Sequence, residues 1–429
     1  HYLRRLGYSA TLAGKMHFIG PDQLHGFEQR LTTDIYPSSF AWTPDWREGE
    51  RNRPTGISMR AVVEAGRCIR SLQIDYDDEV EYFGIQKIYD LARFDTDRPF
   101  FLTISFTHPH SPFITHERYW NLYRHDEIDM PAVPAIPVEA MDTFSRWIHY
   151  AHGGDLHDVT EQHVRNARHA YYGMVSYVDE KVGRIMAALV ETGLDDNTVV
   201  VFTADHGEML GERGLWYKQS FFEWSARVPL IVHFPPAFQP RRESRLVSLV
   251  DLLPTFLELA GDGKSLEPVT PLDGRSLTGV LGGGDEDWSD TVVSEYTGEG
   301  TCAPCRMVRR GRYKYVYTHG HAGQMYDLEQ DPLELRNRAG DPALTEIARR
   351  LLDRLLDGWD PDAIMERALA SQRERRFIHA AINGEPNWAF KVRDDDDRRF
   401  VRNSGAVDAK ARARYPFVEP TPFKREAAQ

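Results

Sequence analysis

The apolar positions of this chain fall into short runs that end abruptly in charged or imidazole side chains. Residues 199–203 are β-branched, aromatic and threonine, the pattern of a strand buried on both faces in a parallel sheet, and they run straight into Asp205, His206 and Gly207. Residues 8–13 read as a strand that leads to Lys15 and His17. The segment 99–113 reads as a buried strand ending in His108, Pro109 and His110, and RVPLIVHFP as a further sheet strand. Helical periodicity predicts an amphipathic helix over 80–94 and a long one over 163–192. The long one has Ala167, Tyr171, Met174, Val178, Val182 and Ile185 on one face and Gly193 at its end. It returns to the 199–203 strand as a crossover helix does. Residues 249–261 form a helix started or kinked by Pro254. Residues 291–295 and 307–317 alternate like a small antiparallel sheet, and 343–359 and 361–379 are amphipathic helices.

In open α/β sheets, ligands bind beyond the carboxyl ends of strands. Asp205 and His206, delivered together at such an edge, read as a pair of metal ligands; the plainer alternative is a capping carboxylate beside a packed imidazole. Lys15 and His17, two apart at a strand end, point to one side and suit an anion. The segment 20–46 is rich in Gly, Pro and polar residues, which predicts a long surface loop. Tyr36, Phe40, Trp42 and Trp46 crowd its end, offering aromatic faces to a quaternary ammonium or simply pinning the loop.

Composition narrows the field. The 429 residues carry a net charge of -13, against a general nucleic-acid binder. No apolar run is long enough to span a membrane. Three cysteines suit a reducing compartment and hence the cytoplasm.

The run from Asp205 through DHGEMLGERGLWYKQSFFEWSARVPLIVHFP resembles the sulfatases of the alkaline-phosphatase superfamily. The segments KMHFIGPDQLHGFEQRLTTDIYPSSFAWTPDW and SLQIDYDDEV resemble the branch acting on choline sulfate. The resemblance implies an α/β fold: a mixed sheet flanked by helices, a smaller C-terminal α+β subdomain and a C-terminal extension. Residues 1–285 would form the catalytic domain, 286–345 the small subdomain, and 346–429 a helical segment and tail making a homo-oligomer, dimer or tetramer. It further implies sulfate monoester hydrolysis, with Asp205 and His206 on a divalent metal (calcium expected, manganese possible) and Lys15, His17 and Lys218 on the sulfate. His108 would sit near the leaving oxygen, His110 would be structural, and Trp42 and Glu295 would bind the ammonium.

That mechanism uses a formylglycine nucleophile beside paired aspartates, and no matching segment is present. The chain opens within what reads as the last turn of a helix, so a missing N-terminal segment carrying both, and an inactive fragment, are the expectation. Cys302-Ala-Pro-Cys-Arg306 formally matches both the formylglycine signature and a C-x-x-C spacing. Its place in the small subdomain, and the lack of further ligands, mark it as incidental. A phosphonate or phosphodiester hydrolase of the same superfamily, and a non-catalytic anion-binding or assembly relative, are the alternatives.

Overall fold

The computed structural model describes residues 1–36, 40–51, 53, 56–94, 98–261, 266–284, 287–382, 391–396 and 414–424. A short helix, Tyr2–Arg5, stops at Gly7 (φ 97°), and the chain enters β1 (Ser9–Gly14). This strand lies between β2 (Gln29–Arg30) and, after β3 (Gly66–Cys68), β4 (Phe100–Ser105), parallel to both neighbours. β3 pairs with β5 (Ile114–His116), again parallel.

Helix Leu72–Arg93 covers the sheet. Ser71 caps it by accepting the Ile74 N–H, and Leu72, Tyr76, Val80, Gly84 and Ile88 recur every four residues on its buried face. The sequence pattern located only its second half, because the first turns carry buried polar groups, Gln73 and Asp77, that break the apolar stripe. Gly84 lets the helix approach β4 closely: a Cβ there would stand 2.8 Å from Ile104 Cδ1, so the Ile104 side chain would have to shift.

Helix Glu161–Thr192 starts in a Thr160–His163 capping box and ends at left-handed Gly193. Its Lys181, 1 % exposed, bonds to Asp78 at 2.8 Å and Glu81 at 2.5 Å, stitching it to helix Leu72–Arg93. It feeds β6 (Val200–Thr203). The sequence reading of a doubly buried parallel strand is corrected here: β6 is half-buried and pairs antiparallel with β7 (Leu230–His233). β4 is likewise half-buried along its length.

The described parts of the segment 20–46, residues 20–36 and 40–46, are less a surface loop than a packed one, since Ile35, Tyr36 and Trp46 are buried. The small sheet has four strands, β8 (Thr291–Tyr296), β9 (Cys305–Arg310), β10 (Tyr313–Thr318) and β11 (Gln324–Asp327), in the order β11-β10-β9-β8. β10 and β9 are the interior strands of this sheet. Helix Thr345–Leu356 packs Leu351 and Leu355 onto this sheet, and helix Pro361–Ala381 follows. Tail residues also fold back: Asp396 is 1 % exposed and accepts the Thr33 hydroxyl, and Tyr415 pairs with the Arg70 backbone. Asp397 lies outside the described residues. Among the described residues no helix is long and apolar enough to cross a membrane.

Candidate active site

The carboxyl ends of β1, β4 and β6 deliver the candidate residues. β1 ends at Gly14 (φ 113°), where a Cβ would lie 1.9 Å from Ser105 O, so only glycine lets β1 and β4 stay in register up to Lys15. His17, with φ 57°, is held by its backbone: Asp34 Oδ2 accepts the N–H groups of Met16 and His17, both at 3.0 Å, and Arg30 Nη2 at 2.8 Å. Burial alone would raise the Asp34 carboxyl, but Arg30 and the amide donors outweigh it and hold it below the usual range.

Lys15 Nζ lies 5.6 Å from the centroid of Tyr36, and the Tyr36 ring lies 6.0 Å from that of His110. His110 in turn stands 6.4 Å from His206, ring to ring, and its Nε2 is 3.0 Å from Lys218 Nζ. Trp42 meets the His17 ring edge-on at 5.3 Å.

The turn after β6 is pinned to the helix Glu223–Ala226. Gly207 N–H donates to Ser225 O and Glu208 N–H to Trp224 O, both at 2.8 Å, and a Cβ on Gly207 would stand 2.0 Å from Trp224 O. His206 Nδ1 lies 2.7 Å from Gly207 O, so Nδ1 carries the proton and the Nε2 lone pair faces Asp205 Oδ2 at 3.6 Å. The half-buried Glu208 accepts the N–H groups of Leu210 and Tyr217 and so shapes the loop leading to Lys218; loss of solvent around its carboxyl pushes it up to about 7.

The electrostatics form one web. Burial, then Lys15, lower Lys218 to about 8 against the pull of Glu299, Glu208 and Asp205. Burial lowers Lys15, opposed by Asp205, Asp34 and Asp77. Crowding by protein raises Asp205, but His206, Lys15 and Lys218 outweigh it and hold it ionised. Burial, then Lys218, lower His206 against the opposing pull of Asp205.

Two of the sequence-predicted residues lie elsewhere. His108 is turned into the core: Asp77 accepts its N–H at 2.9 Å and meets its Nδ1 at 2.7 Å, and its ring packs on Tyr177. The histidine facing Lys218 is His110, which sequence reasoning had treated as structural. Glu295 sits on β8 opposite Arg306, 3.8 Å away, and is half exposed. Neighbouring strand residues face opposite ways, and Tyr296 is the one turned towards Phe144 and Glu299. From this loop it is Glu299, beyond the end of β8, that joins Glu208 and Asp205 in pulling on Lys218; its sequence signal was its place between Gly298 and Gly300.

Asp205 and His206 supply a carboxylate oxygen and an imidazole nitrogen, donors that suit a divalent ion. Among the described residues no group of three or more His, Cys, Asp or Glu is arranged to hold a metal, so these two fit as part of a shell completed by other ligands. Cys302 and Cys305 do not fit a nucleophile site. They pack in the cluster of Phe144 and Trp147, and burial pushes their thiols up to about 11 and about 12.

A family model described as Sulfatase matches residues 1–262, and one described as N-sulphoglucosamine sulphohydrolase, C-terminal, matches residues 211–359. The chain belongs to the sulfatase family, and its class is that of the sulfuric ester hydrolases. Within the family it is similar to the choline-sulfatase of Rhizobium meliloti (strain 1021), at 42% identity over 432 residues, covering 98% of this chain and 83% of that one. The arylsulfatase of Clostridium perfringens (strain 13 / Type A) is 27% identical over 381 residues, covering 82% and 76%. The phosphonate monoester hydrolase of Agrobacterium radiobacter superimposes with a TM-score of 0.63 at 27% identity, covering 83% of this chain and 78% of that one.

Proposed function

We propose that the protein hydrolyses choline O-sulfate to choline and sulfate. The observation that carries this reading is the convergence of Lys15, His110, His206 and Lys218 beside an edge-on His17–Trp42 pair, in a chain 42% identical to a choline-sulfatase. Lys15, His17 and Lys218 neutralise the sulfate oxygens, and fixed cations are what such a transfer demands. Asp205 and His206 hold the divalent metal, calcium or manganese, which with formylglycine is general to the sulfatase family and supplies further charge neutralisation when bound. Neither Cys302 nor Cys305, packed beside Phe144 and Trp147, fits a formylglycine position.

In the net reaction a water oxygen becomes bonded to sulfur as the bond between sulfur and the bridging oxygen breaks; the electron pair of the broken bond stays on the alcohol oxygen, which then needs a proton. The Lys218–His110 pair stands ready to give one: His110 donates Nδ1–H to Ser111 O at 2.8 Å, so its Nε2 accepts from the Lys218 ammonium. We assign the ammonium group to Trp42, through its face, and to Glu299 in place of Glu295. In this reading residues 1–285 carry the chemistry, 286–345 contribute leaving-group recognition, and the 346–429 segment makes homo-oligomer contacts. Three free cysteines support a cytoplasmic setting.

The likeness to a phosphonate monoester hydrolase favours a second reading, in which a phosphonate ester is turned over. Steady-state rates on choline sulfate, 4-nitrophenyl sulfate and phenyl phenylphosphonate separate the two. The choline reading expects the highest kcat/KM on choline sulfate; a preference for the phosphonate ester would sink it.

A further inference from the structure

Behind Lys218, three elements meet at one side chain. Gly300 (φ 81°) lies on the end of helix Thr143–Ala151: a Cβ there would stand 3.1 Å from Ile148 Cδ1 and 3.3 Å from Ala151 Cβ. The loop between β8 and β9 therefore rests on that helix and brings Glu299 with it, and Tyr296 secures the turn by donating to Glu299 O at 2.7 Å. His152 caps the same helix. Between Glu299 and His152 stands Gln219, next to Lys218, 9 % exposed and held at φ 73°.

Gln219 Nε2 donates to Glu299 Oε1 at 2.7 Å, and Gln219 Oε1 faces His152 Nε2 in hydrogen-bond contact. Chemistry fixes the direction of this chain. A carboxylate only accepts, so the amide nitrogen must face it; the amide oxygen is then left for His152, whose Nε2 must carry its hydrogen. Burial lowers His152 to about 4, so the ring stays a neutral single donor, and Tyr217 holds it edge-on at 5.0 Å.

We propose that Gln219 is a positioning residue for substrate charge selection: braced by His152, it fixes the Glu299 carboxylate where a cationic leaving group meets it. This rests on the reading of Glu299 as the ammonium-binding carboxylate. Leucine at 219 has the volume but neither donor nor acceptor, which removes the Gln219 anchor from the carboxylate and strands the His152 N–H. Glutamate at 219 sets a second carboxylate against the first.

The test is calorimetric titration of the full chain with choline chloride, and separately with sodium sulfate. It compares Gln219→Leu, Gln219→Glu, His152→Phe, His152→Gln and Glu299→Gln, with near-UV circular dichroism to confirm folding. Gln219→Leu is expected to weaken choline binding at least fivefold while sulfate affinity changes less than twofold. His152→Phe should follow it, and His152→Gln, which keeps an N–H donor, should restore most of the affinity. If Gln219→Leu does not fold, His152→Phe against His152→Gln decides alone. Unchanged choline binding in Gln219→Leu beside a loss in Glu299→Gln overturns the positioning role and leaves the ammonium reading intact. No loss in Glu299→Gln overturns both. Equal losses of choline and sulfate mean that Gln219 only supports the Lys218 turn.

Discussion

Lys218 Nζ lies 3.0 Å from His110 Nε2, and the imidazole can only accept there, because its Nδ1–H is already given to Ser111 O. The pair is therefore an ammonium and a neutral ring sharing one proton. Both cationic forms are not allowed together at that separation, since like charges so close disfavour one another. This sets the expected pH behaviour. Lys218 is lowered to about 8; the charged form is present below that value and is lost as pH rises through it. Turnover of choline sulfate should fall on the alkaline side near pH 8, and Lys218→Arg should move that limb upward. A profile flat to pH 9.5 would remove Lys218 from the chemistry.

His110→Ala should cost about 10²-fold or more in kcat, the usual worth of a positioned acid–base group, with little change in thermal midpoint. His108→Ala should do the reverse. It strips a buried partner from Asp77, and its main effect should be a lowered Tm, from the roughly 1–3 kcal/mol of an orphaned buried polar group. Kinetics and differential scanning fluorimetry on the two variants distinguish them.

Trp42→Ala and Glu299→Gln should each lower kcat/KM for choline sulfate about tenfold, near ~1.4 kcal/mol, while 4-nitrophenyl sulfate changes little. Glu295→Gln should leave both substrates within twofold. Should Glu295→Gln prove the selective variant, the assignment of the ammonium to Glu299 is wrong.

The buried His152, lowered to about 4, gives a stability signature. Its unfolded-state value is ordinary, about 6.5, so below that pH the unfolded chain takes a proton that the folded one refuses. Stability is full above pH 6.5, declines as pH falls and levels off near 4, by up to about 3 kcal/mol. In His152→Gln that part of the acid loss should vanish, as urea melts at pH 7 and pH 5 would show.

Lys181→Met should destabilise by roughly 3 kcal/mol, the lower end for a broken buried pair, because Arg184 still reaches Glu81. Adding Glu81→Gln should restore part of the loss. Urea denaturation of the single and double variants measures it.

Much of this was legible before any coordinates. The strands before Lys15, His110 and Asp205 announced themselves because apolar runs stop where a sheet edge begins, and Gly193 marked its helix end because only a left-handed cap needs it there. The strand direction at β6 was not legible, since a half-buried antiparallel strand and a doubly buried parallel one use the same β-branched residues. Nor was the choice between His108 and His110. It is made by Asp77, thirty-one residues upstream of His108, whose carboxylate claims one imidazole and leaves the other to the site. Glu299 gave no such signal beside Glu295: alternation along β8 decides which face a carboxylate takes, and the carboxylate bonded to Gln219 lies past the strand's end.

Asp34 has a consequence for how such enzymes change their diet. Its one buried carboxylate grips Met16 and His17 through Oδ2 and the Tyr36 amide, at 3.0 Å, through Oδ1. In the proposed reading it thus stands as a seam between the residues assigned to sulfate and the aromatic stretch assigned to the alcohol. Everything that reads the leaving group from this stretch lies downstream of the seam, and everything it holds for sulfate lies upstream. Exchange of the stretch beyond Tyr36 leaves the amide grip on Met16 and His17 untouched, so a lineage can try new alcohols there without re-inventing its hold on the anion.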